Sequence, residues 1–216
     1  MEPINKTIKV MDMPKLESPF VRDFVDGDYV VTPQIAEGYE WVFNDDSVEA
    51  IEKLHGTNVS VIIKHGTIVA IFNRTERIPF FNKGKKHIIE GVLNSYSRGM
   101  LDPLLDGQHF GELLGPKVCK NKYNLDGHLW IPFETYAKKH LRFKSWGKYP
   151  KTYEAISEWF KNLMPLYNIM CNGKKVPEEE KMNLFVEGVV FTHPDGRMAK
   201  LRRNMFPWFK GKRHKE

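Results

Sequence analysis

Hydrophobic positions along this chain recur mostly with a period of two, and one long stretch keeps a clean helical period. The runs from Asn58 to Lys64 and from Ile68 to Arg74 are dense in β-branched residues and flank a His-Gly-Thr turn. They predict a hairpin around Gly66. A second hairpin is predicted from the runs 183–193 and 197–203, which flank Pro194-Asp195-Gly196. The first 50 residues mix short apolar runs with Pro14, Pro19, Gly27, Pro33 and Gly38, a pattern of short strands and loops. Residues 85–100 carry a weaker helical pattern. Between Thr152 and Met170, Tyr153, Ile156, Phe160, Leu163 and Tyr167 fall at helical spacing, and Pro165 is expected to end or kink that helix. Strands dominate and helices are inserted between hairpins, so the predicted class is α+β with antiparallel sheets.

Composition bounds the picture without sharpening it. A chain of 216 residues is long enough to bury a full core and short enough for one domain. No apolar run approaches the ~18 residues of a membrane span. The opening residues lack the apolar stretch of a signal peptide, so the expectation is a cytoplasmic protein with no membrane partner. Cys119 and Cys171 fit no metal or redox spacing. Charge changes the picture more. The net charge is +6, yet residues 197–216 alone hold eight Lys and Arg against one Glu. Such a block is either a phosphate-binding footprint or a solvated tail. The organisation expected is a domain over residues 1–208 followed by a basic tail at 209–216.

Candidate chemistry begins just before the first hairpin, at Glu52-Lys53-Leu54-His55-Gly56-Thr57-Asn58. A lone lysine in a loop is ordinarily a solvated charge. Here glycine follows at three residues, where backbone can approach a ligand closely. A nucleophilic lysine must shed its proton near neutral pH, through burial or neighbouring cations. Glu187 stands out in the same way, because it interrupts a strand that otherwise reads as buried, where an unpaired charge is costly.

The segment from Glu52 to Asn58 resembles the nucleotidyltransferase motif of ATP-dependent RNA ligases of the nick-sealing RNA ligase 2 type. DNA ligases and mRNA capping enzymes carry Lys-x-Asp-Gly there; this chain has His55 in place of the Asp. Four further motifs follow in the family's order, so the resemblance covers residues from about 40 to 203. It implies a nucleotidyltransferase domain, ATP-grasp-like in fold, that uses ATP with Mg²⁺, or Mn²⁺ in its place. Its partner would be RNA with 5′-phosphate and 3′-hydroxyl ends, and its role RNA repair. Residue by residue, the resemblance gives Lys53 the attack on the ATP α-phosphate and Glu52 a part in holding adenine. His55, Gly56 and Asn58 belong to the same nucleotide-binding motif. Arg74 would contact ribose and the RNA 5′-phosphate, and Glu112 the ribose hydroxyls. Phe133 would stack on adenine, with Trp130 and Tyr136 as alternative rings. Glu187 would organise the metal, and Lys200 and Arg202 would serve the α-phosphate.

Two departures bear on the match. The family's last motif reads Lys-x-Lys, whereas here it is Lys200-x-Arg202; arginine keeps the charge and grips phosphate bidentately. Related ligases also continue into a C-terminal domain, for which the basic segment after Trp208 is expected to substitute in part. The rival readings are a minimal DNA ligase, an adenylating enzyme that needs a partner, or a non-catalytic nucleic-acid-binding module. Turn chemistry favours a three-residue loop at 194–196. Chemistry asks for more, because Glu187 and Lys200 must share a face to grip metal and phosphate together. That requirement predicts a two-residue loop at 195–196, or a β-bulge between Gly188 and Lys200.

Overall fold

The computed structural model describes residues 9–81, 83–167 and 185–211. Within the stretch read as one domain, the chain divides into two compact units, residues 1–14 with 56–136 and residues 15–55 with 137–216. Both are built from antiparallel strands with inserted helices, as the periodicity predicts. Residues 168–184, including Cys171, and the basic tail beyond Gly211 lie outside the described residues.

One unit holds a five-stranded antiparallel sheet. Its strands are β4 (Thr57–Lys64), β5 (Thr67–Asn73), β6 (Glu76–Arg77), β7 (Gly107–Leu114) and β8 (Leu129–Pro132), in the spatial order β6-β5-β4-β7-β8. The β4–β5 hairpin turns through His65 and Gly66, with φ of 51° and 68°, the two positive values that a two-residue type I′ turn demands. Helix α2 (Lys86–Ser97) forms where the weak pattern placed it and packs on β7 and β8. The close approach depends on Gly91, where a Cβ would lie 2.2 Å from Leu113 Cδ1. Ser95, fully buried, accepts the Trp130 N–H at 2.9 Å, and Trp130 Nε1 donates to Val59 O at 3.0 Å.

The other unit contains the hairpin β1 (Phe20–Val25) and β2 (Asp28–Ile35), and a three-stranded sheet in the order β10-β9-β3. Those strands are β3 (Glu49–Lys53), β9 (Gly188–Thr192) and β10 (Met198–Arg202). Short helices α1 (Trp41–Asn44) and α3 (Lys138–His140) accompany them. Helix α4 (Tyr153–Asn162) is capped by the Thr152 side chain, which accepts the Ala155 N–H, and it buries Ile156 and Phe160. It is shorter than predicted. Leu163 is already extended, two residues before Pro165, and Leu163 and Tyr167 are buried beyond the helix end. Helical spacing of apolar residues therefore outran the helix itself. The core of this unit joins one face of the sheet (Ala50, Val189, Phe191, Ala199, Leu201) to Phe20, Phe43, Phe160 and Phe206.

The second hairpin corrects the expected register. Lys200 pairs with Val190 and Arg202 with Gly188 in a regular ladder. His193 N–H donates to Arg197 O, leaving Pro194, Asp195 and Gly196 as a three-residue loop with Gly196 at φ 93°. Neither the two-residue loop nor a bulge between Gly188 and Lys200 is present. The physical reason is Pro194, which has no N–H to give the ladder. Turn chemistry prevailed over the requirement drawn from catalysis.

Candidate functional site

The sheet β10-β9-β3 has one face in the core, and alternation assigns the other. Ladder pairs put Lys53 opposite Gly188, Gly188 opposite Arg202, Ile51 opposite Val190, and Val190 opposite Lys200. Paired positions share a face. Lys53, Lys200 and Arg202 therefore lie on the face turned away from the core, all of them half-buried. Gly188 stands between Lys53 and Arg202 in that row and carries no side chain. A Cβ there would lie 2.5 Å from Leu201 O and 2.9 Å from Arg202 Cα.

Glu187 joins this face by a route the register argument did not foresee. It precedes β9, so strand alternation does not govern its side chain, while its carbonyl accepts the Arg203 N–H at 2.9 Å. Lys53 Nζ donates to Glu187 Oε1 at 2.7 Å, and His55 Nδ1 lies 2.8 Å from Oε2. Burial pushes the Glu187 carboxyl up. The His55 hydrogen bond and the Lys53 charge outweigh it and bring the group down to about 2. Glu187 is thus ionised and only accepts, so His55 Nδ1 carries the proton in that contact. The sequence marked Glu187 as a carboxylate needing compensation; Lys53 and His55 provide it.

Glu52, one residue before Lys53, points the other way. It is 3% exposed, and its Oε2 accepts the Tyr167 N–H at 2.8 Å. Two other cations of this hairpin have structural partners. Arg203 donates to the carbonyls of Phe160 and Lys161 at the end of α4, and Arg197 donates to Asp195 at 2.8 Å and lies over the Trp41 ring.

In the five-stranded unit, Asn58 on β4 sits directly opposite Glu112 on β7. Leu113 and Trp130, at the alternate positions, meet α2, so Asn58 and Glu112 occupy the sheet's other face. Gly56 N–H donates to Glu112 Oε1 at 2.9 Å. A Cβ at Gly56 would fall 2.2 Å from Leu113 O, so only glycine fits there. Asn58 Nδ2 contacts Met13 Sδ at 3.2 Å, whereas its Oδ1 is buried without a hydrogen-bond partner among the described residues. An orphaned buried acceptor is costly and suits a position that receives a donor from a ligand. Phe133, half-buried, follows β8 and opens a π-helical turn that ends at Ala137. Trp130 is fully buried with its indole N–H already bonded, which removes it as a stacking ring; Tyr136 is half-buried. Arg74 is exposed in the turn after β5, at φ 55°.

The sequence-predicted residues thus form two sets, one per unit: Lys53, His55, Glu187, Lys200 and Arg202 in one, and Gly56, Asn58, Arg74, Glu112 and Phe133 in the other. Among the described residues, no group of three or more His, Cys, Asp or Glu side chains gathers as a ready metal cage. No helix is long and apolar enough to cross a membrane.

Residues 46–212 match the model of a protein family described as RNA ligase. A comparison with curated proteins gave no match. Among solved structures, the chain is similar to a Naegleria gruberi RNA ligase solved with PPi, at 15% identity and a TM-score of 0.51, with 94% of this chain covering 62% of that one. An apo mutant of RNA ligase from the same organism gives a TM-score of 0.52 at 15% identity, with 88% of this chain covering 59% of that one. The chain spans about three fifths of the length of these structures. At such identity the likeness is one of fold, and it agrees with the antiparallel α+β architecture.

Proposed function

The chain belongs to the RNA ligase family, and we propose that it is an ATP-dependent RNA ligase acting through a covalent lysyl-AMP on Lys53. One observation carries this reading: Lys53 is paired at 2.7 Å with Glu187, on the sheet face that also holds Lys200 and Arg202. A lysine, a carboxylate and two further cations are what nucleotidyl transfer to an amine requires.

In the first step the Lys53 amine, its proton lost to solvent, attacks the α-phosphorus of ATP in line. An N–P bond forms as the bond to the pyrophosphate oxygen breaks. Lys200 and Arg202 offset the charge that gathers on the α-phosphate oxygens. Glu112 and Asn58 hold the ribose, Phe133 stacks on adenine, and Gly56 keeps backbone close to the nucleotide. The Glu52 carboxylate, committed to the Tyr167 amide, fixes the strand that presents Lys53. His55 orients Glu187. AMP then passes to an RNA 5′-phosphate, contacted by Arg74, and a 3′-hydroxyl displaces AMP to close the strand.

The donor set suits a hard divalent cation. Glu187 offers one carboxylate, and Mg²⁺ is commonly held by one or two carboxylates, phosphate oxygens and its own waters. Mg²⁺ or Mn²⁺ bound at Glu187 would supply charge neutralisation on the phosphates. The setting we propose is RNA repair in the cytoplasm, on RNA ends bearing 5′-phosphate and 3′-hydroxyl groups.

Intact-mass measurement after incubation with ATP and Mg²⁺ tests the proposal. The wild-type chain is expected to gain one AMP and Lys53→Ala none, with an unchanged circular dichroism spectrum. An AMP adduct on Lys53→Ala would overturn the assignment.

A further inference from the structure

The five-stranded unit carries a largely exposed segment, residues 75–81 and 83–86, that nucleotide chemistry does not account for. Phe81 is 98% exposed and Phe80 47% exposed. Isolated exposed leucines are ordinary on protein surfaces, but two adjacent phenylalanines held in water are not. The segment that carries them is strongly basic. Arg77 is exposed on β6, and Lys83 and Lys86 are exposed just beyond the pair. Lys85 lies 3.6 Å from Glu76, the single acidic residue of the segment. A surface meant to bury aromatic rings against protein would ordinarily be poor in lysine. Aromatic rings set among cations suit a different partner, single-stranded nucleic acid, whose bases stack on the rings while its phosphates meet the charges. Ile78, buried at 2% exposure, and its N–H bond to Ile71 O anchor the segment to the sheet, so the rings are presented from a fixed base.

We propose that Phe80 and Phe81 form a stacking platform for unpaired RNA bases, with Arg77, Lys83 and Lys86 tracking the adjoining phosphates. This rests on the ligase reading above and narrows its substrate to RNA with unpaired nucleotides beside the reacting end. Duplex RNA keeps its bases stacked on one another and offers the rings no face.

Binding of a 5′-phosphorylated single-stranded oligoribonucleotide containing 2-aminopurine provides the test, alongside a fully paired RNA duplex of equal length. Phe80→Ala/Phe81→Ala is expected to weaken single-strand binding about tenfold or more, to abolish the 2-aminopurine quench, and to leave duplex binding unchanged. Phe81→Trp should restore the quench. Both variants should still gain one AMP from ATP, since neither residue belongs to the nucleotide machinery. Unchanged single-strand affinity, or an equal loss for the duplex, would overturn the platform. So would a wild-type dimer that Phe80→Ala/Phe81→Ala converts to monomer in sedimentation, because the rings would then serve a second copy. An absent AMP adduct on the wild-type chain would instead defeat the ligase reading.

Discussion

Two carboxylates, Glu52 and Glu187, sit on opposite faces of one three-stranded sheet, and they are held by different kinds of partner. Glu52 accepts a backbone N–H on the core face. A main-chain amide is fixed by the fold, so this bond is part of the architecture. Glu187 is held by the side chains of Lys53 and His55, which can turn and be replaced by other cations. Burial alone therefore does not separate a carboxylate locked into the backbone from one held by side chains. The exchangeability of the partner does.

Substitutions can break that contrast. Glu187→Ala is expected to lower the rate of self-adenylylation about 100-fold or more, the usual scale for removing one electrostatic group from a transition state. Quenched-flow measurement of AMP incorporation would check this. The substitution should also lower the urea midpoint at neutral pH, because the ionised carboxylate held by Lys53 and His55 stabilises the fold there. In acid the sign is definite. The Glu187 carboxyl is depressed in the folded state, from 4.5 to about 2, so its contribution is present above 4.5 and lost as pH falls through 2. Urea unfolding at pH 5 and pH 2.5 should therefore converge for wild type and Glu187→Gln.

Glu52→Ala should cost stability while sparing the rate. It strips the buried Tyr167 amide of its acceptor and should cost about 1–3 kcal/mol of stability, read as a fall in the urea midpoint. At temperatures where the variant is folded, AMP incorporation should be reduced far less than in Glu187→Ala. Equal losses of rate in the two variants would erase the distinction between the faces.

A smaller effect is expected at the far end of the same hairpin, where ionic pairing has no reactive partner. His193 lies between Asp45 (2.9 Å) and Asp195 (2.7 Å), and hydrogen bonds to these two carboxylates raise its pKa above 6.5. A raised histidine stabilises the fold below its unfolded pKa, and that contribution is lost as pH rises through the folded value. Asp45→Asn should lower the His193 value, as followed by the ring-proton titration, and shrink the loss of stability between pH 6 and pH 8. AMP incorporation should be unaffected.

Much of this was legible in the sequence because the signals were local. His65-Gly66 announced its turn, α2 formed within residues 85–100, and Glu187 stood out as a charge in an apolar run. What escaped depended on partners distant in sequence or on a conflict between local rules. The Glu52 bond to Tyr167 spans 115 positions, and nothing near Glu52 announces it. Helical spacing at Leu163 reflected burial in the extended stretch that follows the helix. Trp130, an open alternative for the stacking ring, was settled by a bond to the Val59 carbonyl on another strand. In the second hairpin, Pro194 sets the turn against the register that catalysis would ask for. Glu187 instead reaches Lys53 from just outside the ladder, at no cost to the turn.

Gly188, which separates Lys53 from Arg202, has a consequence for how mutational data on this chain would read. It has no functional group, carries no charge and lies in a regular strand, so a survey of side-chain chemistry would pass over it. Yet a single added methyl has no room between β9 and β10. In a saturation scan, Gly188 would therefore score as an essential position, ranking beside Lys53 while contributing only the space it leaves vacant.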